Sequence, residues 1–294
     1  MKTKAPIYFK DFKCIADRCR HSCCVGWEID VDSDAILRYK ALGEKGRDIL
    51  SSLEYLGQVP HFRLIGERCA HLDSRGLCRI ISECGEEYLC DICREHPRFY
   101  NYTESGCEAG LGAACEEAAR LILGCENYTE TVTLLGIGEE CVPPGFDAVG
   151  EREKIYKTLS DLSLTYAERL SLLWGQYISP VEKSDSEWRS VISELEYLDR
   201  ESRDLFLSFS LSASPRNEEY AERALAYFIY RHTGSAETKE EFLLSLGLAF
   251  LLERLFASLM AENPTAEPYL LLRRISEEIE YSEDNTEILK SEFI

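Results

Sequence analysis

Cys14-Ile15-Ala16-Asp17-Arg18-Cys19-Arg20-His21-Ser22-Cys23-Cys24-Val25-Gly26-Trp27 places four thiols within eleven residues. A second group follows at Cys69, Cys78, Cys84, Cys90 and Cys93, and a third at Cys107, Cys115 and Cys125. Thirteen cysteines occur in all; twelve lie between Cys14 and Cys125, the last is Cys141, and the remaining half has none. Thiols serving only as small apolar filler would scatter through both halves. Close spacing lets one loop offer several thiolates to one ion with little further loss of chain entropy. The leading half therefore reads as a segment organised by metal, with Gly26 and Gly76 relieving crowding of the backbone near the ions.

The 294 residues are 45% hydrophobic and 29% charged, which excludes wholesale disorder. A net charge of −20 argues against binding the phosphate backbone of nucleic acid and suits a basic protein partner. No apolar run reaches the ~18 residues of a membrane span. The longest, Phe242 to Leu252, reads as a buried core helix. Met1 to Lys13 lacks the apolar core of a secretory signal, so a cytoplasmic location with reduced thiols is expected. The odd number of cysteines agrees with that.

The breakers of Val142-Pro143-Pro144-Gly145 suggest a boundary, giving a Cys-rich domain over 1–142 and a helical domain over 143–294. Helical periodicity runs through Arg152–Ile178, Ser186–Ser208, Glu218–Arg231, Lys239–Met260 and Glu267–Ile279. Lys239–Met260 is apolar on nearly all faces, so its neighbours must wrap it. In the leading half, Asp30–Leu42 (capped by Asp32 or Ser33), Arg79–Glu95 and Ala113–Leu123 are expected as helices, Ile7–Phe12 and Trp27–Val31 as short strands. The predicted fold class is mainly α: a Cys-rich, metal-organised N-terminal domain of short strands and loops, then a C-terminal helical bundle.

All-thiolate sets suit zinc and iron–sulfur clusters alike. Irregular spacing and the adjacent Cys23-Cys24 pair favour iron–sulfur, with zinc as the alternative. A radical-type Cys-x3-Cys-x2-Cys triplet is absent, because Gly26 stands at its third position. Cys90-x2-Cys93 has thioredoxin-like spacing but no βαβ pattern around it. His21, His61, His71 and His96 share this half and are conceivable ligands, a supporting role being the commoner one.

Phe12-Lys13-Cys14-Ile15, Cys19, Cys23-Cys24 and Gly26-Trp27 resemble the opening signature of the flagellin lysine-N-methylases. Arg68-Cys69, Leu72, Leu77-Cys78, Gly85-Glu86-Glu87-Tyr88-Leu89, Cys93 and Pro97-Arg98 resemble that family's second block, and Cys115-Glu116-Glu117-Ala118-Ala119-Arg120-Leu121 its third, with Glu116 where proline is usual. The resemblance covers about residues 8–125 and is partly shared with Cys-rich zinc- or iron-chelating proteins. It implies a cytoplasmic S-adenosylmethionine-dependent methyltransferase acting on lysines of flagellin and carrying a [4Fe-4S] cluster. The thiols it marks as metal ligands are Cys14, Cys19, Cys23, Cys24, Cys69, Cys78, Cys93 and Cys115; Cys84, Cys90, Cys107, Cys125 and Cys141 fall outside that set.

Such chemistry needs a neutral lysine, whose unperturbed pKa is about 10.4, and so a group to take its proton. Tyr88, Asp91 and Glu95, near Cys93, are the candidate acceptors; Arg98 is a candidate for the cosubstrate carboxylate and Trp27 for stacking on it. Gly136-Ile137-Gly138 is a weak nucleotide loop because Glu139-Glu140 follows it. The competing reading is a non-enzymatic metal-binding or metal-delivery protein, and a third is a structural adaptor whose helical half binds a partner.

Overall fold

The computed structural model describes residues 2–103, 106–135, 145–178 and 183–293. Two units form: Lys13–Pro97, and a larger one of Met1–Phe12 with Arg98–Ile294. The boundary expected at 142/143, the Gly136–Gly138 loop and Cys141 lie outside the described residues. The chain starts in the larger unit with β1 (Lys2–Pro6). It then builds the smaller one from α1 (Ser33–Ala41), α2 (Glu44–Ser51), the hairpin β2 (Leu53–Leu56) and β3 (Val59–Phe62), the short ribbon β4 (Leu64–Ile65) and β5 (Arg68–Cys69), α3 (Arg79–Cys84) and α4 (Asp91–Glu95). It returns to the larger unit with β6 (Arg98–Thr103), β7 (Gly106–Leu111), α5 (Glu116–Gly124) and β8 (Thr131–Leu135). Helices α6 (Ala148–Leu159), α7 (Tyr166–Tyr177), α8 (Asp185–Glu194), α9 (Arg200–Phe206), α10 (Glu218–Thr233), α11 (Lys239–Glu262), α12 (Pro268–Ile275) and α13 (Glu283–Ser291) complete it.

The protein is mainly α, 55% of its described residues being helical. Helix α11 is the one described helix long and apolar enough to cross a membrane, and it is a core helix: Phe242, Leu246, Phe250, Phe256 and Met260 are all buried. Helices α9, α10, α12 and α13 pack on it, as its lack of a polar face requires. Long helical stretches break where side chains offer the backbone a competing bond. Thr165 and Glu168 form a capping box that starts α7, and Asp199 starts α9 by accepting from Ser202 N–H at 2.7 Å. The expected Arg152–Ile178 and Ser186–Ser208 helices are thus each two helices. The expected Glu267–Ile279 helix passes at Ser276 into a π-helical turn, Ser276–Glu280.

The sheet of the larger unit has the order β6-β7-β1-β8. Strand β1 runs parallel to β7 (Thr3 opposite Cys107) and antiparallel to β8 (Thr3 opposite Leu134). The strand expected at Ile7–Phe12 is a 3₁₀ turn over Ile7–Asp11; the strand precedes it, at Lys2–Pro6, where partners on both sides satisfy its backbone. A buried ion pair joins sheet and helices: Arg152 of α6 donates to Glu108 of β7, with its guanidinium 4.6 Å over the Tyr230 ring.

The smaller unit has little apolar core. Ile29, Val31, Ala35, Tyr39, Ile49, Phe62 and Ile80 are buried together with two cysteines, Cys69 and Cys90. Trp27–Val31 forms only an isolated bridge, Asp30 to His61, flanked by bonds from Phe62 N–H to Ile29 and from Val31 N–H to Pro60. Arg79–Glu95 is two short helices, α3 ending at Gly85 (φ 113°) and α4 starting after Cys90. Asp32 caps α1 as expected, accepting from Ala35 N–H at 2.7 Å.

Candidate metal centre

Backbone bonds lace the Cys23–Cys24 and Cys69–Cys78 stretches of the smaller unit together, and the Asp32 and Arg38 side chains hold the Cys90–Cys93 stretch. Cys69 N–H donates to Cys24 at 2.9 Å, Gly26 N–H to Glu67 at 2.8 Å, and Val25 bridges Arg68. Leu72 N–H donates to Cys69 at 3.0 Å, and Leu72 in turn bridges Cys78. The loop between them closes on Asp73, whose carboxylate accepts from Arg75 N–H and Leu77 N–H at 2.8 and 2.9 Å. Asp32 reaches from α1 to accept Asp91 N–H at 2.7 Å, and Arg38 donates to Leu89 at 3.0 Å. These two bonds set the start of α4, and with it Cys90 and Cys93. Gly26 (φ 90°) and Gly76 (φ 79°) are left-handed, and a Cβ added to Gly26 would meet nothing within 4 Å. Backbone conformation, not the expected crowding, is what calls for glycine there.

Six thiols of this unit influence one another's ionisation: Cys23, Cys24, Cys69, Cys78, Cys90 and Cys93. Cys69 and Cys90 are buried, and Cys24, Cys78 and Cys93 pack against the same core. The Cys23 thiol is held near Cys24 as a hydrogen-bonded pair; that bond lowers Cys23 to about 7 and pushes Cys24 far up. Cys90 and Cys93 form a second such pair, with Cys90 lowered and Cys93 raised. Burial raises Cys69 and Cys78, and the neighbouring Cys23 and Cys90 sulfurs raise each further. No disulfide links any of the twelve cysteines among the described residues.

Five of the eight expected metal ligands, Cys23, Cys24, Cys69, Cys78 and Cys93, belong to this mutually coupled set, as does Cys90 from outside the expected eight. Cys14 is exposed, Cys19 directs its thiol to the His21 carbonyl at 2.6 Å, and Cys115 belongs to the larger unit, at the start of α5. Among the described residues no three His, Cys, Asp or Glu side chains stand arranged to hold a metal ion. The donor chemistry nonetheless fits a thiophilic metal: soft sulfur ligands, reduced, in a unit whose apolar core is small.

Of the histidines, His71 is engaged elsewhere. His71 Nε2 meets Ser52 Oγ at 2.6 Å, its ring stands edge-on to Phe62, and burial lowers it to about 4. Burial also lowers His96 to about 4, and its Nε2 has no hydrogen-bond partner among the described residues. Of the catalytic candidates, Tyr88 is half-buried against the smaller core. Asp91 and Glu95 are exposed or half-exposed on α4, both paired with Arg94, at 2.5 and 3.4 Å. The Trp27 indole donates to the Cys23 carbonyl at 2.9 Å, which ties it to the thiol loop. Arg98, in the larger unit, lies over the rings of Phe12 and Phe9 at 5.4 and 5.9 Å. The Cys90-x2-Cys93 spacing was the sequence signal for Cys90; the tie from Asp32 to Asp91 left none.

Comparison with known proteins gives a consistent result. Over 127 residues, 40% of the chain, it is 27% identical to a lysine-N-methylase of Salmonella choleraesuis (strain SC-B67) and to one of Salmonella typhimurium (strain LT2), covering 31% of each. It is 26% identical over the same length to the flagellar biosynthetic protein FliU of Salmonella muenchen, covering 75% of that protein. The chain therefore spans about a third of the length of the lysine-N-methylases it matches. No family model and no solved structure matches it. The resemblance to lysine-N-methylases holds.

Proposed function

We propose that the chain is an S-adenosylmethionine-dependent protein lysine N-methyltransferase whose smaller unit holds an iron–sulfur cluster through its cysteine thiols. The similarity to two lysine-N-methylases over 127 residues carries this reading. Cys23, Cys24, Cys69, Cys78 and Cys93 are the thiols that would hold the cluster, with zinc the alternative occupant. When bound, the metal supplies cross-links that the small apolar core does not.

The transfer itself needs no redox step. The lysine nitrogen forms a bond to the methyl carbon as the carbon–sulfur bond breaks, and the sulfonium leaves as a neutral thioether. The protein's task is to take the ammonium proton beforehand and to exclude water. Tyr88, Asp91 and Glu95 are the acceptors this chain offers, and Arg94 holds the two carboxylates on one face of α4. Trp27 is the smaller unit's candidate for contact with the cosubstrate. A net charge of −20 favours a basic, lysine-bearing partner. The flagellar name of one relative supports a flagellin-like substrate, met in the cytoplasm.

The test is transfer of label from methyl-labelled S-adenosylmethionine to flagellin by anaerobically prepared protein. No transfer with the metal demonstrably in place removes the reading. A metal-delivery protein is the second reading, favoured by six mutually coupled thiols where one tetrahedral site uses four. It predicts ready metal transfer to an apo-acceptor and no heat of binding with micromolar S-adenosylmethionine.

A further inference from the structure

Cys90 lies outside the thiols that the resemblance marks, yet the chain on both sides of it is firmly held. Cys90 itself is fully buried. The residue before it is fixed by Arg38 at Leu89 O, the residue after it by Asp32 at Asp91 N, and its own carbonyl accepts Arg94 N–H at 2.9 Å. A buried cysteine that only fills space needs no thiol for a neighbour. Cys90 has several: Cys69 is buried with it in one core, and Cys24, Cys78 and Cys93 pack against that core. The positions of Cys90 and Cys93, three apart at the start of a helix, put both sulfurs on one face. One ion can then close that short loop at small entropic cost.

We infer that Cys90 is a metal-binding thiol of this chain, chelating together with Cys93 an ion whose remaining ligands come from the thiols of the Cys23–Cys24 and Cys69–Cys78 stretches. The inference rests on the reading that the smaller unit binds metal. Each thiol that joins gives its proton to solvent as the metal–sulfur bond forms.

The experiment is a titration of the full-length, reduced, metal-free chain with cobalt(II) alone, read by the sulfur-to-cobalt charge-transfer absorbance. With four thiolates on a tetrahedral ion, Cys90→Ser is expected to lose about a quarter of that intensity per cobalt. Unchanged intensity and affinity in Cys90→Ser overturn the assignment. A second measurement needs no variant: zinc-loaded wild-type protein is alkylated with N-ethylmaleimide in urea and mapped by mass spectrometry. Cys90 is expected to stay protected with Cys93 until a chelator is added, whereas Cys107, equally buried but in strand β7, reacts as the chain opens. Cys90 reacting at the rate of Cys107 while Cys93 stays protected overturns the assignment. Failure of the wild-type chain to take up any cobalt would overturn the metal reading itself.

Discussion

Replacing Asp32 with alanine should loosen the start of α4 although the two are 59 residues apart in sequence. One carboxylate oxygen caps α1 at Ala35 N–H, and the other accepts Asp91 N–H, each at 2.7 Å. Loss of an N-cap costs about 1 kcal/mol. Loss of the bond to Asp91, charge-assisted but half-exposed, adds about 1.5 kcal/mol, the low end of its class. Together these give about 2–3 kcal/mol, or ~30–150-fold in the opening equilibrium of this corner. Asp32→Asn keeps a cap oxygen for Ala35 but presents an amide N–H₂ toward Asp91, so it should lose about half as much. Native-state hydrogen exchange of the Asp91 and Ala35 amides in metal-free protein reads both. Burial opposes the Asp32 charge, but the Asp91 and Ala35 amides outweigh it and hold the carboxyl below its ordinary value. Its contribution is therefore complete above the unfolded carboxylate pKa of ~3.9 and is lost as pH falls through the lower folded value. An Asp91 amide in Asp32→Ala that exchanges within about threefold of wild type would refute the argument.

Glu108→Ala leaves the Arg152 guanidinium buried without its carboxylate and should cost about 3–5 kcal/mol in urea unfolding; Glu108→Leu with Arg152→Met should recover most of it. His96 has a folded pKa of about 4, below the unfolded ~6.5, so stability is full above the unfolded value and falls as pH drops from there toward 4. In metal-free protein the decline linked to His96 should approach at most about 1.4 kcal/mol per pH unit, and His96→Gln should flatten it. Stripping metal from loaded protein with a chelator should speed exchange of the Gly26 and Cys69 amides more than about tenfold and leave α10 and α11 unchanged; equal protection at both would contradict a metal-organised unit.

Helix α11 was legible because its apolar run has no polar face to misplace, and a segment of that kind has one physical solution. Helix breaks were less so: Thr165-x-x-Glu168 is a capping-box signature and Asp199 an N-cap residue, but both lie inside apolar periodicity that continues across them. Strand β1 was missed because Lys2–Pro6 lacks strand character of its own; it is extended because β7 and β8 lie on either side. Of the candidate site, the grouping of cysteines was visible in their spacing. How the cysteine stretches are held depends on the Asp32 and Arg38 side chains and the Glu67 carbonyl, none of which the cysteine spacing marks.

Strand β1 lies between β7 and β8, yet the chain leaves it at once for the whole Cys-rich unit and comes back only at Arg98. The smaller unit is thus a guest spliced into its host, and the host's first and later segments are covalently remote until the guest has been made. A fragment cut at the proline-rich stretch after Cys141 would carry α6 to α13 away from Ala109, Leu111, Ile122 and Leu134, which share their core. Such a piece would have a bare apolar flank. Deleting the guest and rejoining its two ends respects the architecture in a way that halving the gene does not.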